Sequence, residues 1–123
     1  MKRHPSLIQL SREHHHALLL AKRAKADAPD RERLAAEIAF AFHHEIGEHF
    51  RTEESGLLVE LARAGQERLV KRTLSEHETL KAIAARLESG DLACLRDFGE
   101  AMEAHVRFEE RELFPLAESL LSS

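Results

Sequence analysis

"FGEAMEAHVRFEERELF", residues 98–114, decides the fold. It reads as an amphipathic helix, yet His105 stands four residues before Glu109. At 3.6 residues per turn, that spacing sets an imidazole and a carboxylate on one face, one turn apart. Neither group belongs in an apolar core without a partner. The earlier stretch "FHHEIGEHFRTEESGLL", residues 42–58, repeats the device. Phe42, His49, Glu53, Glu54, Leu57 and Leu58 recur as Phe98, His105, Glu109, Glu110, Leu113 and Phe114, always 56 residues on. A weaker repeat pairs Glu13–His14 in "REHHHALLL" with Glu76–His77 in "SEHETLKAI". The chain therefore reads as two helical hairpins related by an approximate two-fold.

The rest of the chain supports this reading. Ala, Leu, Glu and Arg dominate; all four are strong helix formers. Val and Ile are sparse and no segment keeps a period of two, so an all-α class is expected. With 123 residues, a single domain spanning 1–123 is expected. The first helix is predicted from a capping box at Ser6 and Gln9 to about Ala26. "DAPD" reads as a turn, and a second helix runs from Asp30 to Arg63, its straightness in question at Gly47 and Gly56. The third covers Glu67 to Glu88, between Gly65 and Gly90. The fourth runs from Leu92, capped by Asp91, to Leu121, with Pro115 expected to kink or unwind its last turns. Short connections make this an up-down-up-down antiparallel four-helix bundle.

Net charge is −4 and the charges are interspersed, which gives no support to nucleic-acid binding. The longest apolar run, Ala17 to Ala21, is too short for a membrane span, and the N-terminal stretch has no apolar signal core. A cytoplasmic location is expected. The lone Cys94 reads as a small core residue.

Histidine is out of proportion, at nine residues. A single His-x3-Glu proves little; His44 and Glu48 show it on a face expected to be solvated. His4 and His43 likewise read as surface or supporting groups. The stronger signal is apolar context. Ile38, Phe42, His49 and Glu53 share one stripe, as do Phe98, His105 and Glu109. With His14 and His77 from the other helices, four imidazoles and two carboxylates meet in the bundle centre. Two buried carboxylates without compensation would be costly. Two cations resolve this, each taking two His nitrogens, with Glu53 and Glu109 bridging. Imidazole and carboxylate without thiolate suit iron, manganese or zinc. Phe42, Phe50, Phe98, Phe108 and Phe114 read as packing around them.

At "EHHHALLL", "HFRTEESGLL", "SEHETL" and "HVRFEERELFP" the sequence resembles the hemerythrin-like family, also described as the HHE cation-binding domain. The resemblance covers nearly the whole chain. It implies a left-handed four-helix bundle holding two non-haem iron ions, with an oxo or hydroxo bridge, that meet O2, peroxide or nitric oxide. The implied metal ligands are His14, His49, Glu53, His77, His105 and Glu109, with His15 or His16 as alternatives to His14. Oxygen-carrying hemerythrins place the last acid five residues after the His, which would be Glu110. The iron-sensing hemerythrin-like domain of a ubiquitin-ligase subunit places it four after, at Glu109, and the repeat favours Glu109. Oxygen carriers also have a second helix-three histidine, one turn away; here Thr73 stands one turn before His77 and Lys81 one turn after, which puts reversible oxygen carriage in doubt. Sensing, scavenging or storage of a small ligand is the first expectation. A peroxidase- or catalase-like enzyme and a non-redox cation-binding bundle are the alternatives.

Overall fold

The computed structural model describes residues 5–26 and 29–121, without the side chains of Ser6 and Leu121. The expectations for His4, for the Ser6 cap and for part of the "DAPD" turn fall outside these residues. Four helical rods form an antiparallel bundle: α1 (Pro5–Lys25), α2 (residues 31–63), α3 (Glu67–Glu88) and α4 (residues 95–121). α1 packs chiefly on α4, α2 on α3, and α3 on α4. Among the described residues, no helix is long and apolar enough to cross a membrane.

The ends of the rods follow local chemistry. Asp30 caps α2 by accepting from the Arg33 amide. Gly65 (φ 84°) and Gly90 (φ 99°) take the left-handed conformation just past α2 and α3, which a side chain would resist. The Gln9 amide donates to Glu13 at 3.1 Å; whether it also reaches back towards Ser6 lies outside the described residues. One expected cap takes another form. Asp91 makes no side-chain cap; its carboxylate pairs with Arg86 at 2.8 Å, and a single 3-10 turn, Leu92–Cys94, leads into α4.

Neither α2 nor α4 is a uniform α-helix. Wider π turns interrupt α2 at Phe42–Ile46 and Glu53–Leu57, and α4 at Glu109–Leu113. The last lies just before Pro115, whose ring would clash with the carbonyl of Arg111 in a regular helix. Pro115 is not the whole cause, because the matching turn of α2 has no proline and begins at the matching glutamate. In α2, Ser55 Oγ bonds the Arg51 carbonyl at 2.8 Å instead. Such turns gather at functional sites.

The core is in two apolar parts. One contains Leu20, Leu34, Ile38, Phe42, Phe50, Leu80, Leu95, Phe98 and Met102. The other contains Leu7, Leu10, Leu57, Leu61, Phe108, Leu113 and Phe114. Where the two parts meet, each rod buries polar residues: His14, His49, Glu53, Thr73, His77, His105 and Glu109. α1 and α4 approach closely at Gly99, where an added Cβ would sit 2.6 Å from the Ala21 carbonyl oxygen.

Candidate metal centre

Each rod delivers its part to this polar layer through helical spacing. His14, His49, Glu53, His77, His105 and Glu109 are all at most 6% exposed. His15 and His16 lie on the exposed face of α1, and His43 and His44 on that of α2. Two sets of ligand atoms each gather within 4.8 Å: His14, His49, Glu53 and Glu109, and Glu53, His77, His105 and Glu109. Both glutamates belong to both sets.

All four imidazoles are oriented in the same way. Nδ1 of each donates to a carboxylate on a neighbouring rod, which turns Nε2 inward. The pairs are His14–Glu110 at 2.8 Å, His49–Glu13 at 2.7 Å, His77–Glu54 at 2.7 Å and His105–Glu76 at 2.6 Å. These four acids obey the internal two-fold. Their role was missed in the sequence, although the tandem Glu53–Glu54 and Glu109–Glu110 and the acid before His14 and His77 were its visible trace. Carboxylate partners of this kind fix ring orientation and raise ligand basicity.

Inside, the contacts are short but poorly aligned. Nε2 of His77 lies 2.9 Å from Glu53, that of His49 3.3 Å from Glu53, and that of His105 3.2 Å from Glu109. Only His14 Nε2 makes an aligned bond, to Glu109 at 2.8 Å. Nε2 of His49, His77 and His105, both oxygens of Glu53 and Oε2 of Glu109 are buried without one. Each such atom costs about 1–3 kcal/mol if left so. Gathered in two clusters that share Glu53 and Glu109, such atoms form a donor set that fits metal ions: nitrogens and carboxylate oxygens, no thiolate, each nitrogen backed by a carboxylate. The two clusters are thus positioned to hold metal.

Protonation is the competing way to balance the charge. Burial alone would push the His49 imidazole down, but Glu109 and Glu53 outweigh it and raise it to about 11. His77 and His105 are raised to about 9 against the same burial cost, by Glu109 and Glu53 for the first and Glu109 and Glu76 for the second. Burial would raise the Glu109 carboxyl, yet the surrounding histidines, His105 first, hold it well below the usual carboxylate range. Aromatic rings wall the layer. Phe50 stacks on His77 with ring centroids 3.8 Å apart, and Phe114 lies parallel to His14 at 5.4 Å.

A cavity of about 360 Å³ reaches His14, His49 and His105 from the groove between α1 and α2. Ala17, Ile46, Phe50 and Met102 give it an apolar floor, and His16 and Glu45, paired at 2.8 Å, stand at its exposed mouth.

A four-helix bundle with two central His/Glu clusters defines a cation-binding class of protein. The hemerythrin HHE cation binding domain family matches residues 7–117, and the chain belongs to that family. No curated protein and no solved structure matches it.

Proposed function

We propose that the chain is a non-haem di-iron protein that binds or reacts with O2, peroxide or nitric oxide, as a sensor, scavenger or store. The observation that carries this reading is the pair of His/Glu clusters sharing Glu53 and Glu109. In it, His14 and His49 would hold one ion and His77 and His105 the other, with Glu53 and Glu109 shared between them. Iron bound there would supply the electrons and the open positions that a small ligand needs.

The chain's own residues do the rest. Glu13, Glu54, Glu76 and Glu110 keep the imidazoles turned inward. Phe50 and Phe114 keep bulk water from the layer, and the cavity at Ala17 admits a ligand of a few atoms. Thr73 is fully buried, but its hydroxyl is engaged with the Leu69 carbonyl at 2.8 Å. Among the described residues no third imidazole joins either cluster, so ions held there would keep exchangeable positions. The reading follows that oxygen is consumed and not carried. The test is to reduce iron-loaded protein anaerobically, admit O2, purge with inert gas and record the spectrum. The reduced spectrum should not return without added reductant; its return on purging would refute consumption.

A further inference from the structure

The inner groups of the two halves repeat faithfully, but the layer behind them does not. On α1, the carboxylate that orients His49 is Glu13, and its other oxygen accepts from the neutral amide of Gln9 at 3.1 Å. The matching position, 63 residues on, holds a cation: Arg72 Nε donates to Glu76 at 3.0 Å, and Glu76 orients His105. The guanidinium is held in place. Its carbon lies 3.9 Å from the centre of the buried Phe108 ring, so the charge is fixed on an apolar wall. Glu112 approaches it less closely, at 3.7 Å, and is more exposed than Glu76. Lys81 lies 3.9 Å from Glu54, the partner of His77, and 4.0 Å from Glu78.

We propose that Arg72 and Gln9 make the two metal positions unequal, so that the His14–His49 position holds a divalent cation more tightly than the His77–His105 position. This rests on the dinuclear reading above. A carboxylate behind Nδ1 pushes charge into the ring and strengthens Nε2 as a donor. A guanidinium on that carboxylate withdraws part of the effect and repels the dication directly. Gln9 does neither. Arg72 and Gln9 are thus positioning residues that act through Glu76 and Glu13.

The test is a titration of metal-stripped protein with cobalt(II), read by visible absorption and by calorimetry. The wild-type protein should bind two ions in two separable steps. Arg72→Gln should tighten the weaker step by about tenfold, the low end of the effect of supporting groups on metal affinity, and leave the tighter one in place. Arg72→Lys, which keeps the charge, should behave as wild type. Gln9→Arg, on the exposed face of α1, should weaken the tighter step, and it decides the matter alone if Arg72→Gln fails to fold. Two bound ions with steps unmoved by Arg72→Gln and Gln9→Arg would overturn the proposal and leave the dinuclear reading standing. Equal shifts from Arg72→Gln and Arg72→Lys would also overturn it, since packing on Phe108 and not charge would then be the cause. Fewer than two ions in the wild-type protein would defeat both.

Discussion

Stripping the metal should give the protein an unusual dependence on pH. Without metal, the central carboxylates must be balanced by protonated imidazoles. His77 and His105 are raised from 6.5 to about 9, and His49 to about 11. A raised imidazole adds stability that is fully present below its unfolded value of 6.5 and is lost as pH climbs through the folded value. Each unit is about 1.4 kcal/mol, so one such group is worth about 3 kcal/mol. His77 and His105 share Glu109 and lie ring to ring at 5.0 Å, so their contributions do not add, and we take about 3 kcal/mol for the pair. For a chain of this length, that corresponds to a fall in Tm on the order of 10 °C between about pH 6.5 and pH 9. On the acid side the sign reverses. Glu109 and Glu76 are held low, so their contribution is present above 4.5 and lost as pH falls. Metal-loaded protein should not follow the alkaline fall, because the ions replace the protons and bind better as pH rises. The assay is thermal melting by far-ultraviolet circular dichroism, with and without chelation, at constant ionic strength. A Tm of the chelated protein that is flat or rising across this range would refute the reasoning, since it would mean that the imidazoles are neutral in the metal-free core.

Three substitutions probe other parts of the account. Gly99→Ala forces a Cβ to within 2.6 Å of the Ala21 carbonyl; overpacking of about 1–3 kcal/mol outweighs the helix gain of about 1 kcal/mol, so Tm should fall, whereas Gly56→Ala, with open space around it, should not lower it. Glu54→Gln removes the charge behind His77 and should weaken metal binding by about 10–100-fold in chelator competition, while Glu48→Gln, whose exposed carboxylate pairs with Arg51, should leave it unchanged. Ala17→Leu narrows the cavity and should slow nitric oxide binding in stopped flow with metal content unaltered; an unchanged rate would mean that the ligand enters elsewhere.

Much of this architecture was legible in the residues. The rods end within a few residues of the expected places because Asp30, Gly65 and Gly90 are strong stops. The inward groups were legible because His and Glu recur on apolar stripes 56 residues apart. Gly47, Gly56 and Pro115 marked where the rods depart from a regular helix, but not that the departures are π turns, since one wide turn leaves no trace in a hydrophobic period and depends on packing from both sides. Glu13, Glu54, Glu76 and Glu110 were visible as a repeated pattern, but their partners lie on other rods, which only the assembled bundle brings together. The contrast of Gln9 with Arg72 is of the same kind: either residue alone reads as a solvated surface position.

The central claim is that Glu53 and Glu109 hold two iron ions side by side. Elemental analysis of protein expressed in iron-replete cells without a purification tag, combined with Mössbauer spectroscopy of the oxidised form, tests it most directly. The account predicts two iron atoms per chain with a coupled, diamagnetic ground state, reduced in content by Glu53→Ala and untouched by His44→Ala. One iron or none per chain, or two uncoupled ions, would contradict it.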